Sequence, residues 1–117
     1  MVNQHKTVVE KIYAASAEGD SEAFISYLTD DAIWEILGDK SLIGKEAIRQ
    51  FMLPMESSVP KFTVDTIIVE GDVAMGHGSM EMMGEDGISQ PYAYCDIYQF
   101  SNDKVSKMTT FVKQTSA

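Results

Sequence analysis

Two side chains of this 117-residue sequence have the chemistry to hold or move a proton. The first is Asp96, in the middle of "YAYCDIYQF". Alternate side chains of a strand share a face. Asp96 therefore falls with Tyr92, Tyr94, Tyr98 and Phe100, while Ala93, Cys95, Ile97 and Gln99 take the other side. A carboxyl among aromatic rings loses hydration, which favours its neutral form and leaves a proton to donate. The plainer alternative is an acid that hydrogen-bonds a neighbouring hydroxyl or reaches solvent at a pocket mouth. The second is His77, in "AMGHGSME", between two glycines that leave room for a ligand or another backbone. Imidazole suits general acid–base work near neutrality. It would complete a pair with Asp96 if the face it shares with Met75, Ser79 and Glu81 points into the same interior. Its alternatives are a hydrogen-bonded sheet histidine or a residue of a dimer face.

Around such a pair, Trp34, Ile36, Phe51, Tyr94, Tyr98 and Met108 would form the walls, and Tyr13 is placed to donate to a ligand. Aromatic side chains with a polar tip suit that use, but each serves equally as core filling. Glu35 should face away, solvated or interfacial. Cys95 alternates with Asp96, so it lies on the opposite sheet face with no base beside it, as a buried or interfacial thiol. His5 falls in an N-terminus expected to fray. Two histidines without ligand spacing predict no metal site. The sequence holds no Gly-rich phosphate loop and no G-x-S-x-G elbow, so no cofactor is expected.

The elements that must position these residues are legible. Val8, Val9, Ile12, Tyr13 and Ala15 recur at helical spacing between Gln4 and Glu18. Asp20 caps a second helix, "SEAFISYL", which buries Phe24, Tyr27 and Leu28. "TDDA" reads as a turn, "IWEIL" as a short strand, and "GDKSLIG" as a loop. "KEAIRQFMLPM" reads as a third helix that buries Ala47, Ile48, Phe51 and Met52 and ends or kinks at Pro54. After Pro60 the pattern changes to alternation. Strands are expected over Phe62–Glu70, Val73–Met83, Ser89–Phe100 and Val105–Gln114, joined by turns at "EGD", "GEDG" and "SNDK". Helices followed by a meander mean α+β, with three N-terminal helices packed on a curved, mostly antiparallel sheet. Such a cone either fills with side chains or stays open as a pocket.

Composition narrows the partners. A chain of this length is expected to make a single domain over residues 1–117, and 44% hydrophobic residues suffice for one core. A formal net charge of −9 argues against nucleic acid, which needs clustered Lys and Arg. No apolar run approaches the roughly 20 residues of a membrane span, and the start has no apolar signal core. One cysteine excludes an internal disulfide and fits a reducing cytoplasm. Eight methionines suit an adaptable core or a pocket for an irregular apolar ligand.

Three strings carry a resemblance over roughly residues 5 to 114: "AEGDSEAFISYLTDDAIWEI", "LIGKEAIRQFM" and "CDIYQFSNDKVSKM". Their order resembles the NTF2-like superfamily, in the branch of SnoaL-like polyketide cyclases and Δ5-3-ketosteroid isomerases. The resemblance implies a cone-shaped α+β fold. It puts Asp96 where the isomerases keep the protonated acid of their oxyanion hole, a carboxyl held neutral by an apolar site. Met108 falls on an apolar pocket position. The position of the isomerase base is Ile36, which accepts no proton, and the tyrosine position falls on Ile12, one residue before Tyr13. One residue turns a helix by about 100°, so ketosteroid isomerisation by the usual mechanism is not expected. The resemblance also implies a homodimer through the outer sheet face, where Ala93, Cys95, Ile97 and Gln99 are mildly apolar. Two functions stay open. One is an isomerase-, cyclase- or dehydratase-type enzyme acting on a small hydrophobic molecule. The other is a non-catalytic ligand-binding or dimerisation module of the same fold.

Overall fold

The computed structural model describes residues 4–54, 60–83 and 86–115. The helical spacing near the start gives α1 (Gln4–Glu18), which buries Val9, Ile12, Tyr13 and Ala15. The start of α1 is anchored: the His5 ring stacks on Phe100 at 4.0 Å. Its Nδ1 lies 2.9 Å from the Gly71 carbonyl oxygen, and Nε2 lies 3.0 Å from that of Asn102. Fraying was expected because the flanking sequence is polar, whereas two turns of the sheet supply partners that sequence spacing does not show. The Asp20 carboxylate accepts from the Ala23 N–H and caps α2 (Ser21–Ser26). That helix stops two residues sooner than expected.

The expected turn "TDDA" instead belongs to a longer strand, β1 (Leu28–Ile36), and the expected loop contains a four-residue strand, β2 (Lys40–Ile43). Pairing sets both. Trp34 stands opposite Leu42 and Ile36 opposite Lys40, while Leu28 reaches Val105 across an irregular register. Helix α3 (Lys45–Met52) buries Ile48 and Met52. Arg49 Nε donates to Glu22 Oε2 at 2.7 Å and ties α3 to α2. The remaining strands are β3 (Thr66–Glu70), β4 (Val73–Met83), β5 (Ser89–Ser101) and β6 (Lys104–Gln114). β3 begins four residues later than expected, although Phe62 still bridges Met80. Met55 of the third helical string and Gly84–Glu85 of the "GEDG" turn lie outside the described residues.

The six strands run β2-β1-β6-β5-β4-β3, with β1 and β6 parallel and every other pair antiparallel. Side chains directly opposite each other share a face, so the register reads off the inner surface row by row. Ile36, Thr110, Asp96, Gly76 and Ile67 form one row. Trp34, Met108, Tyr98, Ala74 and Val69 form the next. The helices pack on this face, where Val9, Ile12, Phe24 and Ile48 join Tyr98 and Met108 in one core.

Here the expectation for His77 fails. The residue opposite Asp96 is Gly76, and His77 stands opposite Cys95 on the outer face, exposed to solvent. On β4 the inward positions are Ala74, Gly76 and Gly78, so the conspicuous side chain of that strand lies one residue out of phase with the site. A one-residue change of parity moves a side chain through the sheet.

Candidate functional site

Asp96 is 8% exposed and sits where α1 crosses the sheet. The Tyr13 hydroxyl donates to its Oδ2 at 2.7 Å, and the Thr110 hydroxyl donates to its Oδ1 at 2.7 Å. Behind Thr110, Trp34 Nε1 donates to the Thr110 Oγ1 at 2.8 Å. The Tyr98 ring packs edge-on against the Tyr13 ring, with centroids 6.1 Å apart. One carboxyl on β5 therefore gathers donors from α1 and β6, with β1 behind them.

Two glycines make this possible. A Cβ on Gly76 would lie 2.1 Å from the Tyr13 hydroxyl oxygen and 2.8 Å from its ring. A Cβ on Gly78 would lie 2.0 Å from the Thr63 carbonyl oxygen and 2.8 Å from the Tyr94 hydroxyl. Tyr94 uses that space to donate to the Thr63 carbonyl at 2.6 Å. The tyrosines fill the notch that the two glycines leave, which explains why β4 carries so little side chain inward.

A sizeable cavity lies elsewhere and is not lined by Asp96. It is an open groove of about 610 Å³ lined by Ala17, Pro60, Phe62, Met80 and Pro91, with Lys61, Thr63, Ser79 and Glu81 at its margin. Phe62 forms its inner wall and packs 6.1 Å from the Tyr13 ring and 6.3 Å from the Tyr94 ring, centroid to centroid. One layer of rings separates the groove from the Tyr13–Asp96 hydrogen bond. The polar residues of the groove, Lys61, Thr63, Ser79 and Glu81, are all exposed, whereas Asp96 is buried.

A SnoaL-like domain model matches residues 9–108, most of the chain. The chain belongs to the SnoaL-like family. Among solved structures this SnoaL-like protein is similar to an NTF2-like protein of unknown function from Cytophaga hutchinsonii ATCC 33406, at 24% identity and a TM-score of 0.79, covering 92% of this chain and 98% of that one. It is similar to the epoxide hydrolase/cyclase-like enzyme SalBIII of pyran ring formation in the polyether salinomycin, at 17% identity and a TM-score of 0.82, covering 92% and 89%. It is similar to an LEH-like epoxide hydrolase of M. tuberculosis, at 13% identity and a TM-score of 0.82, covering 94% and 83%. At these identities the likeness shows the fold. Among curated proteins none matches.

In this SnoaL-like protein the electrostatics of the site follow from burial. Desolvation raises the Asp96 pKa above the ordinary carboxyl value, opposed by the donors Thr110, Tyr13 and Tyr98. Burial raises Tyr13, Tyr94 and Tyr98 as well, and the Asp96 charge raises each of them further. The three phenols therefore stay protonated and act as donors. Cys95, on the other face, is also raised by desolvation first and by Asp96 second, so it is no activated nucleophile.

Tyr13 does reach Asp96: the helix phase set by packing, not the family column, decides its direction. Ile36 lies in the Asp96 row beyond Thr110, two strands away. Tyr98 and Met108 are 1% and 4% exposed and fill the core. Trp34 stacks on Phe24 at 5.6 Å and meets Phe51 edge-on at 5.5 Å. The void beside Trp34 and Met108 is too narrow for water. None of these residues lines the groove. Glu35 points outward, 3.8 Å from Lys107 Nζ. Sequence reading missed Thr110 and Phe62. Thr110 was accessible from alternation with Met108 in "MTTFV", whereas nothing local marks Phe62. Among the described residues no cluster of His, Cys, Asp and Glu suits a metal ion, and no helix is long and apolar enough to cross a membrane.

Proposed function

We propose that this chain binds a small, mostly apolar molecule with one carbonyl, hydroxyl or epoxide oxygen and acts on it as a cyclase-type protein. The oxygen would sit against Tyr13 and Asp96, reached from the groove once the Phe62 ring moves aside. One observation carries this reading: a buried carboxyl with a raised pKa bonded at 2.7 Å to a tyrosine that remains a donor. Donors aimed at an oxygen that gains negative charge are the largest single catalytic effect of many sites. Among the described residues the Asp96 row holds no second base, since Ile36 occupies its far end and His77 lies on the other face. Ring closure tolerates that lack better than isomerisation. An internal hydroxyl attacks an epoxide carbon, a C–O bond breaks, the epoxide oxygen takes a proton and the hydroxyl releases one, with no change in formula. The solved cyclase-like neighbour lends the same direction.

The test is ring closure of an apolar γ,δ-epoxy alcohol. The wild type should exceed the buffer rate, and Tyr13→Phe should lose at least about a hundredfold, the low end for one positioned proton donor. A wild-type rate equal to buffer would sink the catalytic part. A second reading has its own observation: both Asp96 oxygens already accept hydrogen bonds from the chain. A site saturated in this way also serves a non-catalytic binder, which would hold the probe without turning it over.

A further inference from the structure

Trp34 and Thr110 meet Asp96 from the side away from Tyr13, and their hydrogen bonds have a direction. An indole N–H only donates, and a hydroxyl has one hydrogen. Trp34 Nε1 occupies the Thr110 oxygen as donor at 2.8 Å, so the Thr110 hydrogen must point elsewhere. The acceptor in its reach is Asp96 Oδ1, at 2.7 Å. We infer that Trp34 and Thr110 form a one-way hydrogen-bond chain that fixes Oδ1 of Asp96 as a permanent acceptor and places the acid's proton on Oδ2, facing Tyr13.

The consequence reaches the candidate ligand site. With Asp96 ionised, the Tyr13 hydroxyl donates to Oδ2. With Asp96 protonated, Oδ2 donates to the Tyr13 oxygen, and the Tyr13 hydrogen turns outward to the ligand oxygen. Tyr13 then touches the ligand, and Trp34 and Thr110 are positioning residues that act through Asp96. The ligand end rests on the reading proposed above; the chain of bonds does not. The groups that face Asp96 are Tyr13 from α1, Tyr94 and Tyr98 from β5, Thr110 from β6 and Ile36 from β1, with Gly76 on β4. No cation is among them, so removing one hydroxyl is not masked by a neighbouring charge.

The test is nuclear magnetic resonance on the unliganded protein. In Asp96→Asn the amide should mimic the protonated acid: its oxygen accepts from Thr110 and its NH₂ donates to Tyr13. Nuclear Overhauser contacts from the new amide protons should reach the Tyr13 ring. In the wild type, carbon-13 carboxyl shifts should give the Asp96 titration midpoint. Thr110→Val, which removes one donor to the charged form, should raise it by about one pH unit, tenfold in protonation. Thr110→Ser should restore it, which a merely structural role of the threonine would not predict. Trp34→Phe should also raise it, because the indole N–H polarises the Thr110 hydroxyl and strengthens its donation to the charged carboxylate. Amide contacts to the Thr110 side chain would overturn the inference. So would a Thr110→Val midpoint equal to or below that of the wild type, even if Asp96→Asn fails to fold. A failed ring-closure assay leaves these readouts untouched.

Discussion

Gly76→Ala adds one methyl group at the point where α1 meets the sheet, and its cost can be worked from distances. The new Cβ would stand 2.1 Å from the Tyr13 hydroxyl oxygen and 2.8 Å from two ring carbons. Ordinary contact begins at about 3.5 Å, so the hydroxyl must retreat by more than 1 Å. A bond of 2.7 Å to Asp96 does not survive that retreat. Losing a hydrogen bond to a carboxylate removes about 1.5–3 kcal/mol, and overpacking commonly adds about 1–3 kcal/mol. The two overlap, because a ring that swings away relieves the clash as it breaks the bond, so about 2–4 kcal/mol is expected. Urea denaturation of Gly76→Ala, Tyr13→Leu and the double variant measures it. Tyr13→Leu already lacks the hydroxyl and the far ring edge, so adding Gly76→Ala there should cost under about 1 kcal/mol. That gap is a coupling energy between the two positions. Gly76→Ala as stable as the wild type would refute the reasoning, and equal costs in both backgrounds would locate the strain away from Tyr13.

Three further outcomes follow from the same structure. Asp96 has its pKa raised by burial, so the folded state keeps a proton that the unfolded chain releases near pH 3.9. Its contribution is full below that value and is lost as pH rises through the raised folded pKa; the stability of Asp96→Asn relative to the wild type should therefore climb across this window, and a flat difference would contradict it. On the outer face Phe111 stands opposite Cys95 and Ile68 opposite Met75, and they are 39% and 55% exposed. We propose that this surface pairs two copies, so Ile97→Arg with Phe111→Glu should halve the mass seen by light scattering, and a monomeric wild type at micromolar concentration would end that proposal. His5→Ala removes a ring that stacks on Phe100 and lies within hydrogen-bond distance of two turn carbonyls; it should cost about 1–2 kcal/mol in denaturant, with the loss of amide exchange protection concentrated in the first turns of α1.

Alternation placed Asp96 on the aromatic face because the whole of β5 keeps period two, and one anchor such as Tyr98 fixes the parity of the rest. The same rule misled at His77. The inward side of β4 is Ala74, Gly76 and Gly78, small residues that leave no apolar stripe to read, since the filling comes from Tyr13 and Tyr94 on other elements. The two glycines were the signal: spaced by two, they mark a face that something else occupies. Helix α1 was legible from spacing, but Ile12 and Tyr13 are both buried, and only packing tells which one reaches Asp96. β2 escaped notice because "KSLI" at a sheet edge buries only part of one residue, Leu42. The Trp34–Thr110 bond spans 76 residues and has no local trace.

Whether Tyr13 and Asp96 hold a ligand oxygen is read most directly from the sole tryptophan, Trp34, which reports on that end of the molecule. Its fluorescence should be titrated with 2-tetralone and with tetralin, which share a shape and differ by one carbonyl oxygen. The wild type should favour the ketone by about five- to tenfold, the worth of one hydrogen bond, and Tyr13→Phe should bind the two alike. Equal binding of ketone and hydrocarbon by the wild type, or a preference that survives in Tyr13→Phe, would contradict it.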